Sequence, residues 1–334
     1  MTQFSWTPAE LLKTSSGFWL SSAIHAGVKL DLFSSLGGES LRATDLATRL
    51  QLNERGLAML LDALVALELL QKEGADYRNS PFAEEFLCRE SPKYLGHIIR
   101  HHHHLVDSWR QLDESVRQGG PVRKRLSHEG EEIERESFLL GMFNLAMQIA
   151  PQIVDRIDLA GRQHLLDLGG GPGTYAIHFC RKNPELRATI FDLPTTESLA
   201  KDTIARFALQ QRINFTPGDF QLDAIGEGYD VAWLSHVLHG EDEQGCAAML
   251  AKTFAALERS GRLLIHEFVL DDSRDRPLFP ALFSLNMLVG TPGGKAYSEG
   301  EIGDLISAAG FVEAERLPIL LPNGAAVISA RKPG

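Results

Sequence analysis

The 334-residue chain has little cysteine: Cys88, Cys180 and Cys246 are its full complement. They are odd in number, far apart and form no C-x-x-C pair, which argues against a disulfide framework and against a zinc site built on cysteines. The opening stretch MTQFSWTPAELLKTSSGFW lacks the basic n-region and apolar h-region of a secretory leader. No uninterrupted apolar run reaches the length that spans a bilayer. These absences predict a cytoplasmic protein with no membrane partner. Positive charge is also scarce, with 33 Lys and Arg against 44 Asp and Glu and a formal net charge of -11. An acidic surface repels phosphate backbones, so nucleic acid is not an expected partner.

What the chain does have is ordinary globular material, 44% hydrophobic and 23% charged. At roughly 100–200 residues per domain, its length suggests two domains. The first ~85 residues read as helical, with apolar positions at helical spacing through Leu11, Leu12, Phe18, Trp19, Ile24, Val28, Leu32 and Phe33. Gly37-Gly38 breaks that pattern. ATDLATRL, a turn at Gln51–Asn53 and RGLAMLLDALVALELL then have the cadence of a helix-turn-helix. LLQKEGADYRNS follows as a two-strand wing turning near Gly74-Ala75-Asp76. A DNA reader needs basic side chains on its recognition helix. Here that helix offers Arg55, then Asp62 and Glu68, and residues 1–80 carry seven Lys and Arg against nine Asp and Glu. A helical packing or dimerisation module fits better.

Residues ~92–150 read as further helices, interrupted by PVRKRLSHEGEEIERES, an expected exposed loop. The residues of the run His101–His104 cannot all ligate one metal, because four consecutive helical residues point round the circumference. The run is expected to cover a helix surface, with a place in the acceptor pocket for one of the four as the alternative, and no metal site is expected. From ~163, short β-rich runs alternate with helical ones, which predicts βαβ units and a largely parallel sheet. The fold class expected is α/β, a doubly wound, mostly parallel Rossmann-like sheet behind an N-terminal helical, winged-helix domain.

HLLDLGGGPGTYAIHF is the most informative segment. A buried strand ends at a glycine cluster that opens a helix, the place where open α/β sheets bind ligands. The dinucleotide fingerprint G-x-G-x-x-G fails here, because its third glycine is Thr174 and Pro172 has no N–H to offer a pyrophosphate. Asp167 puts a carboxylate at the mouth of the loop, which suits a cationic ligand. Asp192 ends the second strand and can accept from both hydroxyls of a ribose. After the third, Asp219 can accept from an adenine amino group while Phe220 packs on the ring. Each acid alone is an ordinary strand-end residue; in series they form one site.

The motifs LLDLGGGPG, FDLP, GDF, the LH after strand four and the late GTPGGK resemble the class I S-adenosylmethionine-dependent O-methyltransferases of the plant caffeate and hydroxyindole type. The resemblance covers nearly the whole chain. It implies a homodimer, with a winged-helix dimerisation domain over 1–90, a helical linker over 91–158 and a cofactor-binding domain over 159–334. It implies S-adenosyl-L-methionine as cofactor, with Gly169 and Gly171 along its methionine part, Asp192 at the ribose, Asp219 and Phe220 at the adenine, and Ser235 at a position that often contacts the cofactor. His239 matches the catalytic histidine, and Glu267 a carboxylate that lies against it. An acid in the apolar strand LLIHEFVL needs a partner, and His239 would be that partner. A phenol near pKa 10 and a histidine near 6.5 differ by about 3.5 units, an uphill transfer of roughly 5 kcal/mol that a nearby sulfonium would narrow.

Two departures bear on this chemistry. The family's H-D-W is His239-Gly240-Glu241, and Ala296 stands where a second acid is expected. The acceptor pocket is expected from Phe143 and Met147 in FNLAM and from Phe283 and Met287, beside Phe279 and Leu288, in LFPALFSLNMLVG; Phe and Met suit a flat aromatic ring. The expected reaction is O-methylation of a small hydrophobic aromatic or polyketide-like acceptor. Methylation of carbon or another reaction on the same fold is the alternative, and a winged-helix regulator a more distant one.

Overall fold

The computed structural model describes residues 5–124 and 132–334. The chain divides into two compact units, residues 1–106 and 107–334.

In the first unit, Thr7 caps α1 (Pro8–Ser15) by accepting the Glu10 N–H, and α2 (Phe18–Lys29) and α3 (Leu32–Leu36) follow. The expected helix-turn-helix is present. After strand β1 (Leu41–Arg42), helix α4 (Ala43–Leu50) ends on Gln51 in the left-handed region, and the Asn53 side chain caps α5 (Glu54–Ala66) by accepting the Gly56 N–H. The wing is an antiparallel pair, β2 (Leu70–Glu73) and β3 (Asp76–Asn79), turning over Gly74-Ala75. Leu32, Phe33, Leu36, Leu46, Leu57, Leu61 and Leu64 share one core. Leu11, Leu12, Phe18, Trp19 and Leu20 stay more than half exposed.

Helix α6 (Pro81–Phe86) leads to α7 (Gly96–Trp109), which carries the histidine run. That run is not simply a surface: His101 is 7% exposed, and the imidazole of His103 lies 2.7 Å from the Lys29 amine. Four successive residues sweep most of a helical turn, so one of them must face inward.

The second unit adds α8 (Leu112–Gln118) and α9 (Glu132–Arg156). The loop expected over residues 121–137 is therefore shorter. Its last residues are helical, Val122 and Arg123 are half-buried, and 125–131 lie outside the described residues. By length and composition α9 is long and apolar enough to cross a membrane, but its C-terminal turns place Ala150, Ile153 and Val154 in a protein core.

The sheet has the order β10-β11-β8-β7-β4-β5-β6. Strands β4 (His164–Leu168), β5 (Arg187–Asp192), β6 (Ile213–Pro217), β7 (Tyr229–Ser235) and β8 (Leu257–Leu270) pair in parallel, and a short β9 (Tyr297–Ser298) also pairs with β8. The edge is reversed: β11 (Ala325–Arg331) runs antiparallel to β8, and β10 (Val312–Arg316) antiparallel to β11. Helices, among them α10 (Thr174–Lys182), α11 (Glu197–Arg206) and α12 (Glu243–Ala256), cover both faces, so the central strands read as continuous apolar runs. Leu165 belongs to one core with Trp233, Phe179 and Ile190, while Leu166 and Leu168 belong to the other with Met249, Leu250 and Ile265. Strand β4 pairs with both β5 and β7, which lie on opposite sides of it. This reversal of strand order is the crevice where open α/β sheets bind ligands.

Candidate functional site

Five strand ends open into that crevice. After β4 the chain turns through Gly169 (φ 67°), Gly171 (φ 53°) and Gly173 (φ 80°), and helix α10 (Thr174–Lys182) starts on the last of these. Positive φ at three of five successive residues selects glycine. The turn is held by the Gly169 N–H donating to the Phe191 carbonyl at 2.8 Å and the Gly173 N–H to the Gly170 carbonyl at 2.9 Å. A side chain on Gly169 would collide with Val237, and one on Gly173 with Ile190, whereas a Cβ on Gly171 would meet nothing within 4 Å. The first and last glycines answer to the protein's own packing, and the middle one faces open space.

Asp167, expected at the loop's mouth, lies beneath it. It is 1% exposed, with Oδ2 accepting the Ala176 N–H at 3.1 Å. Its Oδ1 is buried with no hydrogen-bond partner. Burial pushes its pKa up to about 7; the Ala176 N–H pulls the other way, and nearby Asp192 adds to the rise. An ionised carboxylate in such a place calls for a cation. Asp192, at the end of β5, accepts from the Gly171 N–H at 2.7 Å and the Leu193 N–H at 2.6 Å, so it ties the second strand to the glycine turn. Beyond β6, Asp219 Oδ1 accepts the Gln221 N–H, and the Phe220 ring edges up to Gly169. The structure thus brings the glycine turn, Asp167, Asp192 and Phe220 together.

Ser235 ends β7, and its hydroxyl is 3.0 Å from His266 Nδ1, with the Tyr175 hydroxyl 3.3 Å from the same atom. This buried group was not anticipated. His266 is 0% exposed, and desolvation holds its pKa well below the ordinary value.

The expected histidine–carboxylate pair forms. His239 sits in a short helical turn after β7, and its Nδ1 lies 2.9 Å from Glu267 Oε2. Glu267 projects from β8 and is 2% exposed. It also accepts the backbone N–H of His239 at 3.3 Å and its own neighbour's, from Phe268, at 3.2 Å. Burial alone would raise the Glu267 pKa, but His239 and His236 outweigh it and keep the group well below the usual carboxylate range. With Nδ1 engaged, the tautomer that protonates Nδ1 leaves Nε2 as an acceptor.

His236 was also missed. It holds a left-handed backbone (φ 56°), and its Nδ1 is 3.5 Å from the same Glu267 oxygen. The sequence signal was there, three residues before His239 in SHVLH. At the departing positions, Ala296 is buried and donates its N–H to the Ser284 hydroxyl, so no second acid stands there. The Phe283 ring packs edge-on against His239, with centroids 4.7 Å apart. Met287 follows one turn along α13 (Leu278–Gly290) and is buried. Phe143 and Met147, one turn apart on α9, are half-buried.

Residues 109–312 match the family model for an O-methyltransferase domain, and residues 12–89 that for an O-methyltransferase dimerisation domain. The chain is 32% identical to a 3-hydroxy-5-methyl-1-naphthoate 3-O-methyltransferase of Streptomyces sahachiroi, over 97% of this chain and 95% of that one. It is also 32% identical to the tetracenomycin polyketide synthesis 8-O-methyl transferase TcmO of Streptomyces glaucescens, over 98% and 97%. Human N-acetylserotonin methyltransferase, solved in complex with S-adenosylmethionine, superposes with a TM-score of 0.85 at 26% identity and full coverage of both chains. A glycine turn at the sheet's switch point and matches along both units point the same way: the chain belongs to the S-adenosylmethionine-dependent O-methyltransferase family.

Proposed function

We propose that this enzyme methylates a hydroxyl of a small aromatic or polyketide-type acceptor, with His239 as general base and Glu267 as the group that orients it. The observation that carries the reading is the 2.9 Å contact between His239 Nδ1 and a buried Glu267 oxygen. A carboxylate so placed fixes the imidazole's tautomer and stabilises the imidazolium that proton removal creates. Glu267 keeps its own proton off, because two histidines outweigh its desolvation.

The cofactor fits the residues present. The orphaned Asp167 oxygen under the turn calls for a cation, which the amino group of S-adenosylmethionine provides. Gly171 leaves the backbone bare where the methionine part would lie, and Gly169 would line the same part through its backbone. Asp192 would accept from the ribose hydroxyls, and Asp219 and Phe220 would take the adenine. Ser235 would act through His266 rather than on the cofactor directly, since its hydroxyl is committed to that ring. When bound, the sulfonium supplies an electrophilic methyl group for in-line displacement. The protein's work is then to hold the acceptor oxygen in line, about 3–3.5 Å from that methyl, and to take its proton. Phe283, Met287, Phe143 and Met147 would supply an apolar lining suited to a flat ring. The two Streptomyces relatives are named for a naphthoate and for a polyketide, which supports the same acceptor class. The exposed apolar helices α1 and α2 and the dimerisation match support a homodimer.

Turnover of phenolic and naphtholic acceptors by His239→Ala tests the base. A fall in kcat of about 10²–10⁴-fold with unchanged S-adenosylhomocysteine affinity is expected. An unaltered kcat would remove His239 from proton transfer.

A further inference from the structure

Arg123 stands out in a chain with net charge -11. It is half-buried, and its Nε is enclosed with no hydrogen-bond partner. Among the described residues no carboxylate pairs with it; Glu134 acts on it only through space, and burial lowers its pKa from the ordinary value. Arginine is rarely buried unless paired, and a guanidinium stays charged whatever its surroundings.

Its position is well defined. Val122 and Arg123 both donate their backbone N–H to the Val289 carbonyl, at 3.2 and 3.3 Å, which pins the segment to the end of α13. The guanidinium lies against Gly290: a Cβ built there would sit 2.6 Å from Cζ and 3.1 Å from Nε. The planar cation thus occupies the space a side chain at 290 would fill. Phe283, whose ring abuts His239, is seven residues earlier on the same helix. Seven residues advance about 10 Å and turn 20° short of two full turns, so positions 283 and 290 project from nearly the same face. Met287 lies between them. One face of α13 therefore carries, in order, the ring against the histidine, an apolar side chain and, set against Gly290, a guanidinium with no carboxylate partner among the described residues.

We propose that Arg123 is a specificity residue that binds a carboxylate on the acceptor, so that the preferred substrates are aromatic hydroxy acids rather than neutral phenols. This rests on the reading above that the acceptor hydroxyl meets His239 beside Phe283. Positions 283 and 290 are about 10 Å apart along the helix axis, a separation on the scale of a substituted one- or two-ring system. A planar fork matches a carboxylate with two parallel N–H donors, and it does so best where water is excluded.

The test is equilibrium binding to the full-length protein saturated with S-adenosylhomocysteine. The probes are positional isomers of hydroxynaphthoate, each beside its methyl ester. At least one isomer should bind about ten- to a hundred-fold tighter than its ester. Arg123→Met should erase that preference with S-adenosylhomocysteine affinity unchanged. Gly290→Ala, which keeps the cation but displaces it, should weaken it. Equal binding of every acid and ester, or a preference that survives Arg123→Met, overturns the proposal. So does a loss of S-adenosylhomocysteine affinity in Arg123→Met, which would assign the guanidinium to the cofactor's carboxylate. Because binding needs no turnover, an active His239→Ala enzyme would sink the base assignment while leaving Arg123 to be decided here.

Discussion

Asp167→Asn should make the protein more stable at neutral and alkaline pH. Burial raises the Asp167 pKa from its usual 3.8 to about 7. The sign follows from where the extra proton sits. Between those two values the folded chain binds a proton that the unfolded chain has released. Stability therefore falls as pH rises from about 4 to about 7, and the loss is complete above that. Three units at 1.36 kcal/mol each amount to about 4 kcal/mol of strain in the ligand-free protein. Asparagine keeps an oxygen for the Ala176 N–H and carries no charge, so it escapes the penalty. The two proteins should be about equally stable near pH 4, and the variant more stable by up to about 4 kcal/mol near pH 8. Urea unfolding at both pH values, followed through buried Trp233, gives the comparison. The same charge should favour a cationic ligand, so wild-type affinity for S-adenosylhomocysteine should rise with pH through about 7 while that of the variant stays flat. Parallel stability profiles for the two proteins would refute the argument, because they would mean that the carboxyl ionises in the fold as easily as in water.

Four further outcomes test the rest of the reading. Glu267→Gln removes the charge on a buried hydrogen bond and should lower kcat by about ten- to a hundred-fold with little change in cofactor affinity; full activity would show that His239 needs no orienting charge. Asp192→Ala should weaken S-adenosylhomocysteine binding by a few kcal/mol in calorimetric titration, and unaltered affinity would remove it from the ribose. Gly173→Ala imposes a side chain at φ 80° against Ile190 and should lower stability by about 1–3 kcal/mol, read as a drop in Tm. Light scattering should give a dimer at micromolar concentration, and a monomer would contradict the use of α1 and α2 as an interface.

The sequence by itself determined the site's scaffold, because its signals are local. A strand ending in glycines needs no distant partner to be read: Gly169, Gly171 and Gly173 announce positive φ, and Asp192 and Asp219 follow at strand ends. The helix-turn-helix and its wing were legible for the same reason, through Gln51, Asn53 and the Gly74-Ala75 turn. The matched motif also placed Glu267 against His239, 28 residues away. Tertiary structure decided what depends on neighbours remote in the chain. Asp167 looked like a residue at the mouth of the loop and proved to lie beneath it, where desolvation governs its charge. His236 and His266 are ordinary histidines in sequence; strand register alone brings the first to Glu267 and the second to Ser235 and Tyr175. His101 was assigned to a surface because periodicity shows that one of four residues faces inward without showing which. Arg123 was read as part of a charged, exposed loop. Only the packing of residues 122 and 123 onto the end of α13, over a glycine that leaves room for a guanidinium, makes it a half-buried cation. Charge can be counted in a sequence, but its desolvation is set by what folds over it.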